Sequence, residues 1–478
     1  MDSGRSGPGK VLLLVLLLLL FAELPGTWLF DQDETRYAEI GREMLDSGDW
    51  VTPRLFGAHY FEKPPLTYWA NAASLDAFGN NPYAARLPAR LAALGTVLLL
   101  LAAGGTAGPW AAVLCLLSPL FLAMARLDLT DGLLSFFLTA AFLSLFRFLE
   151  AEPWTRRSMG WLAVVGLSCG LAVLTKGLVG IVLPGLVLVA FAANTGRWGK
   201  ILESLVSPAP LVCAAVAAPW FVLMERVHPG FNLYFWWDNH FARFASMEGG
   251  RDHGPWYPWA VLAGGFLPWL LLLWRPFRAL FPLRRANLRA DPEGLFLWMW
   301  FLVVPAFFTL SKSTLAPYLL PSIPAGALLA AREAAVPGGR RWVSPAAWSV
   351  AALGFAAVAA LPWLAGWRSW HSLAARASLE KDALVVNYQC HANAFPLLLE
   401  RPVPVVAHRS ELATDDVLPP EAFWKAKEFW ARWESKERIV ALVDDSDRKD
   451  FLLRSKTAPR ILGEGWGRLL VANYPDDR

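Results

Sequence analysis

DQDETRYAEIGREMLDSGDWVTPRLFGAHYFEKPPLTYW, residues 31–69, directly follows an apolar run from Val11 to Phe30. It opens the longest polar stretch of the chain, 31–90, and packs acids, bases and aromatics together. Charged groups next to a bilayer core are costly and are kept there for a purpose. The stretch therefore marks a chemical site at a membrane surface, and the rest of the sequence says which kind of membrane protein carries it.

The 478 residues are 55% hydrophobic and 18% charged, where a soluble domain averages about 25% charged. The apolar residues are segregated into runs of roughly 17–24, the length that crosses a hydrocarbon core. Twenty-five tryptophans suit the lipid–water boundary, where the indole is enriched. The run 11–30 follows Arg5 and Lys10 and lacks a clean small-x-small cleavage site, so it reads as a retained signal-anchor helix. Further spans are expected at about 87–104, 109–125, 132–148, 160–174, 177–194, 205–224, 257–275, 294–310, 316–331 and 343–366, with one or two of the short ones re-entrant or split. The fold is mainly α and polytopic.

Lys and Arg in short loops set orientation. With the N-terminus inside, the inner loops hold Arg147, Arg156 and Arg157; Arg197 and Lys200; Arg275, Arg278, Arg284, Arg285 and Arg289; and Arg332, Arg340 and Arg341. The unusual polar clusters then share the outer face: 31–90, Arg126 to Asp131, Thr175 to Gly177, 226–256 and Ser311 to Ser313.

From about 369 the character changes. β-like runs at Ala383–Tyr388, Val403–Ala407, Ile439–Val443 and Leu469–Ala472 alternate with helical stretches at 420–436 and 445–455, which predicts a small outer-face α/β domain over 369–478. The glycine-rich Gly463–Gly467 precedes a strand pattern instead of a helix, so it fails as a phosphate loop. Cys115, Cys169 and Cys213 lie in apolar runs and Cys390 stands alone, so neither a disulfide framework nor a cysteine metal cluster is expected.

Asp33 to Gly48 has the pattern of an amphipathic interfacial helix. Tyr37, Ile40, Met44 and Leu45 share one face, with Arg36, Glu39, Arg42 and Glu43 on others. Asp33 suits an N-cap and Gly48 a C-terminal stop. Asp33 either caps the helix or presents a carboxylate for proton acceptance or orientation, with Glu34 its rival. In Tyr60–Trp69 the two prolines hold the chain extended and aim Glu62 and Lys63. Lys63 either snorkels or holds a phosphate.

Asp33-Glu34-Thr35-Arg36-Tyr37-Ala38-Glu39-Ile40, Glu43-Met44, Gly48-Asp49-Trp50 and Phe61-Glu62-Lys63-Pro64-Pro65-Leu66 closely resemble the aminoarabinose transferases and related bacterial protein-mannosyltransferase-like proteins. These are GT-C glycosyltransferases that use polyprenyl-phosphate sugars. Asn239–Phe244 with His253–Tyr257 is similar to the family's second large outer loop. Ser311-Lys312-Ser313 with Pro317–Pro321 is similar to its later outer-face motif. The resemblance covers about 1–335. The C-terminal domain resembles the family's outer domain in placement only.

The resemblance implies a GT-C catalytic domain over 1–368, with about 11 to 13 spans. Asp33 would be the catalytic carboxylate, and Lys63 would hold the donor phosphate. Glu34, Arg36, Tyr37, Glu62, Arg243, Arg251, Lys312 and Tyr318 would contact phosphate or sugar, and Asp128 and Asp131 either shape the site or cap a helix. Glu62 and His253 are hinted as ligands of a divalent metal ion, although two ligands alone make a poor site. Lys176 reads as a snorkelling side chain. The implied partners are a polyprenyl (undecaprenyl) phosphate sugar, a lipid A or other glycolipid acceptor, and the membrane; nucleic acid is not among them. The implied location is the bacterial inner membrane with the site on the periplasmic side. A flippase for a lipid-linked sugar is the main rival. Transporters, however, place charge and broken helices near the bilayer midplane, often in paired repeats, and no two halves of this chain match.

Overall fold

A computed structural model of the protein describes residues 7–30, 32–242, 253–279, 290–335, 342–368, 370–407 and 422–475. Each of the eleven expected spans contains a helix or a pair of helices, but in the first, expected over Val11–Phe30, the helix Gly7–Phe21 ends nine residues early. Among the described residues six helices are long and apolar enough to cross a membrane: Pro82–Ala103, Thr130–Glu150, Arg156–Lys176, Pro208–Val227, Pro292–Thr309 and Val343–Leu364. The pair Tyr257–Gly265 and Leu270–Arg278 is bent by 110° and makes a seventh if it is one broken span. Lys10–Phe21, Gly105–Leu116 and Val179–Thr195 are shorter apolar helices. The breaks have local causes. Pro119 restarts a helix after Ser118, and the expected 316–331 span begins as the 3₁₀ turn Ala316–Ser322 around Pro317 and Pro321.

The chain divides into two compact units. The first comprises 1–22, 62–67 and 88–357. Its central packing joins Arg156–Lys176 to Thr130–Glu150 and to Pro208–Val227. Lipid tails give helices no hydrophobic reason to associate, so close backbone approach through small residues supplies the attraction. Gly166 and Gly170, four apart on one face, permit it. A Cβ at Gly170 would lie 2.8 Å from the Val216 Cβ and 3.0 Å from the Cys213 carbonyl oxygen, and one at Gly166 would overlap the Ala209 carbonyl.

The second unit comprises 23–61, 68–87 and 358–478, so most of the 31–90 segment falls in it together with the C-terminal chain. Its sheet has the order β5-β4-β3-β6-β8-β7, with β3 Leu384–Tyr388, β4 Val405–Val406, β5 Phe423–Trp424, β6 Ile439–Asp444, β7 Arg460–Gly465 and β8 Arg468–Ala472. β5, β4, β3 and β6 run parallel, and β8 and β7 are antiparallel. Both faces are buried, and strand alternation sorts the side chains. Val385, Val440, Leu442 and Leu470 join Leu373, Ala377 and Phe395 on one face. Val386, Tyr388, Ala441, Val443, Leu469 and Val471 join Phe429, Trp433 and Phe451 on the other. Gly463 and Gly465 belong to β7, and Trp466-Gly467, both at positive φ, turn the chain into β8. The glycine-rich stretch is a hairpin. All four cysteines are free thiols.

Candidate functional site

In the second unit the helix Asp33–Ser47 begins without a side-chain N-cap. Gln32 is the N-cap and makes no side-chain cap bond, so Asp33 is the first helical residue and not the cap expected. Gly48 stops the helix as anticipated, at φ 68 with its N–H on the Met44 carbonyl. The two adjacent acids part company. Asp33 is 63% exposed, with Arg36 Nη1 3.7 Å away. Glu34 is buried and takes two bonds from Arg86, at 2.8 and 2.7 Å, while accepting from the Phe30 N–H at 2.9 Å. Arg86 spends its remaining donors on Glu23 Oε1, the Thr27 carbonyl and the Trp28 carbonyl, each at 3.0 Å. All five guanidinium N–H groups are thus engaged. Glu34 is half of a buried ion pair that fixes the start of the helix, and Asp33 is the carboxylate held out beside it.

Arg36 also donates to the Tyr60 hydroxyl at 3.3 Å. Tyr37 is buried, its ring 6.0 Å from that of Tyr68. The charged residues expected on the other faces of the helix include buried ones. Glu39 is buried and paired with Arg42 through bonds of 2.8 and 2.7 Å, and Arg42 also pairs with Asp46. Burial pushes the Glu39 carboxyl up to about 8, opposed by the Arg42 guanidinium. Glu43 is also pushed up by burial, and it accepts from the Gly57 N–H at 3.0 Å. That bond ties the helix to the hairpin of β1 Arg54–Leu55 and β2 Ala58–His59, whose turn residues Phe56 and Gly57 both have positive φ.

The first unit carries Glu62 and Lys63 on the segment ahead of Pro64-Pro65. Lys63 Nζ donates to the Glu62 carbonyl at 3.1 Å, and Asn239 Nδ2 donates to the same oxygen at 2.7 Å. The motif containing Asn239 thereby holds the backbone at Lys63. Asp131 lies in the first turn of Thr130–Glu150, whose N-cap is Leu129, so it is no cap. Its Oδ1 is 2.6 Å from Lys176 Nζ, with side-chain exposures of 8% and 13%. Lys176 also stands 4.2 Å from the centre of the Tyr318 ring. The snorkelling expected of Lys176 is therefore wrong: it is a half-buried cation that joins Asp131 to Tyr318. No local spacing reveals a pair 45 residues apart, although the two polar clusters were each visible in the sequence.

Asp128 is buried. Arg126, two residues before it, donates to the Leu19, Leu20 and Ala22 carbonyls and so closes the C-terminal end of the helix Gly7–Phe21. Lys312 is exposed. His253 packs on Tyr257 with rings 4.3 Å apart. Among the described residues no three His, Cys, Asp or Glu side chains gather as a metal site, and Glu62 and His253 gain no third ligand there. Arg243 and Arg251 lie outside the described residues.

Residues 11–235 match the family of dolichyl-phosphate-mannose-protein mannosyltransferases. An undecaprenyl phosphate-alpha-4-amino-4-deoxy-L-arabinose arabinosyl transferase from Sodalis glossinidius (strain morsitans) is 34% identical over 328 residues, 67% of this chain and 58% of that protein. The corresponding protein of Yersinia pestis (strain Pestoides F) is 34% identical over 338 residues, 69% of this chain and 59% of its own length. The chain thus spans about three-fifths of these relatives. The crystal structure of ArnT from Cupriavidus metallidurans bound to undecaprenyl phosphate superposes with a TM-score of 0.84 at 25% identity, covering 98% of this chain and 99% of that one. The archaeal oligosaccharyltransferase AglB from Archaeoglobus fulgidus shares the fold at a TM-score of 0.54 and 14% identity, over 95% of this chain and 71% of its own. With a multi-pass helical body, a small C-terminal α/β sheet and these likenesses, the chain belongs to the GT-C glycosyltransferase family of the aminoarabinose transferases and their protein-mannosyltransferase-like relatives.

Proposed function

We propose that this protein is an integral-membrane glycosyltransferase. It moves a sugar of the 4-amino-4-deoxy-L-arabinose type from undecaprenyl phosphate to lipid A or another glycolipid, on the periplasmic face of the bacterial inner membrane. The observation that carries this reading is the superposition, over 98% of the chain, on a structure bound to undecaprenyl phosphate. The positive-inside distribution of Arg and Lys supports the orientation.

The leaving group is a lipid phosphate, already anionic, so its departure calls for fixed positive charge more than for a general acid. Lys63 supplies that charge, and Arg243, Arg251 and Lys312 add to it. The acceptor oxygen attacks the anomeric carbon from the opposite side. The bond from carbon to phosphate oxygen breaks with its electron pair leaving on the phosphate, and the configuration inverts. With a hydroxyl acceptor, Asp33 takes the proton; with a phosphate acceptor, Asp33 orients it. Glu62 and His253, with no third ligand among the described residues, do not fit a divalent ion.

The test is transfer in nanodiscs from undecaprenyl phosphate-aminoarabinose to lipid A, with product read by mass spectrometry. One well-placed electrostatic group is worth about 3–4 kcal/mol of barrier, or roughly 10²–10³ in rate. Lys63→Ala should lose activity on that order while the protein still folds. Normal turnover by both Lys63→Ala and Asp33→Asn would overturn these roles. Lipid crossing the bilayer with no product formed would turn the reading to a flippase.

A further inference from the structure

We propose that Asn393, in the C-terminal sheet domain, is a positioning residue for Asp33. The inference rests on the transferase reading for its consequence, and on geometry of the second unit for its substance. The helix that presents Asp33 has no side-chain cap of its own. Its N-cap carbonyl, on Gln32, accepts the first helical bond from the Arg36 N–H at 3.2 Å. The same carbonyl also accepts from the Thr35 hydroxyl at a long 3.4 Å and from Asn393 Nδ2 at 3.0 Å, the shortest of the three bonds. Asn393 is 2% exposed. A buried amide costs free energy unless it is bonded, so packing alone favours an apolar side chain there. What the amide supplies is a directional hold on the peptide immediately before Asp33.

The neighbouring contacts show that this hold belongs to a built joint. The helix Ala394–Leu399 starts right after Asn393 and packs against Asp33–Ser47, with Leu397 in one buried cluster with Leu29, Ala38 and Ala85. Trp28 stacks on His371 with rings 3.2 Å apart, and Phe56 of the β1–β2 hairpin lies 5.3 Å from His391. At the joint's other end, Asn80 Nδ2 donates to the Leu397 carbonyl at 2.7 Å and to Glu400 at 3.2 Å. Residues 389–393 follow the carboxyl end of β3, beside which the sheet order reverses between β4 and β6. In open α/β sheets this place ordinarily binds a ligand. Here its occupant is the segment that carries the Asp33 helix.

Two variants separate positioning from simple docking. Asn393→Asp keeps the shape and removes the donor; Asn80→Ala weakens the same joint away from Asp33. In the full-length protein, Asn393→Asp and Asn393→Ala should lower kcat about 10- to 100-fold with donor KM unchanged, since small misplacements of a reacting group cost about that much. Asn80→Ala should leave kcat within about twofold. Hydrogen exchange of the amides of residues 33–36 should quicken in the Asn393 variants and not in Asn80→Ala, at matched thermal stability. Equal kcat losses in both, or unchanged exchange at 33–36 in the Asn393 variants, would overturn the proposal. The exchange measurement stands without turnover. If wild type transfers no sugar, the transferase reading falls, and exchange still decides whether Asn393 holds the helix start.

Discussion

Asp33 and Glu34 are chemically near-identical neighbours with opposite situations. Removing one partner of a buried ion pair strands the other charge and costs about 3–5 kcal/mol. Glu34→Ala, which orphans the fully engaged Arg86, should therefore lower thermal stability sharply and reduce the yield of folded protein. Asp33→Asn removes a charge that is mostly in water, so its melting temperature should stay close to that of wild type, and turnover should fall by roughly 10²–10³. If the two variants melt alike, the division of labour drawn from their burial is wrong. Lys176 invites the same comparison: Lys176→Met leaves Asp131 buried without its cation, whereas the double change Lys176→Met with Asp131→Leu should recover much of the stability that the single change loses. Neither pair was legible in the sequence. Sequence spacing exposes charge pairs three or four residues apart on a helix, and these partners are separated by 52 and 45 residues. Acidic and basic residues at a membrane level were evident; which of them neutralise each other depends on tertiary contact.

Helices and strands were more readable than their pairings. The apolar stretches are mainly helical because length and composition decide that in lipid, where every backbone N–H must be satisfied within its own segment. The strands β3, β4, β6 and β8 declared themselves by short apolar runs, while β5, two residues long, and β7, interrupted by Gly463 and Gly465, carried no such signal. Interhelical distance shows only in the glycines. Gly170→Leu should push Arg156–Lys176 away from Pro208–Val227, and the expected outcome is loss of monodisperse protein in mild detergent. Gly160→Ser, on the same helix, should leave the protein monodisperse, since an added Cβ there meets nothing within 4 Å. The turn after the Asp33 helix gives a pH-dependent prediction. Burial pushes Asp49 up, but the Thr52 and Val51 N–H groups, each at 3.0 Å, and Arg54 at 3.3 Å outweigh it and hold the carboxyl below its usual range. A depressed folded value means that the ionised form stabilises the fold above the unfolded pKa, near 3.9, and that this support is lost as pH falls through the folded value. Asp49→Asn should therefore melt lower than wild type at neutral pH, with the gap closing as the pH drops below about 4.

The proposed membrane orientation follows from the asymmetry of charge and has a direct test. Arg147, Arg156, Arg157, Arg197 and Lys200 sit at helix ends or in the short connections of one side under the positive-inside rule. Lys200 serves structure as well: it donates to the Ala151 carbonyl at 2.9 Å and pairs with Glu203 at 3.0 Å, and Glu203 accepts from the Trp154 N–H at 2.7 Å. This connection is thus bound into a compact end. The native thiols complicate labelling little, since Cys115, Cys169 and Cys390 are buried and Cys213 is half-buried. In a cysteine-free background, Ser47→Cys and Lys312→Cys, both at exposed positions, should react with a membrane-impermeant maleimide added to intact spheroplasts. Arg157→Cys, also exposed, should react only after the membrane is opened. The reverse pattern would put Asp33 and Lys63 on the side opposite the proposed donor and acceptor, and the proposed reaction would then have to be abandoned, even with the fold and the family unchanged.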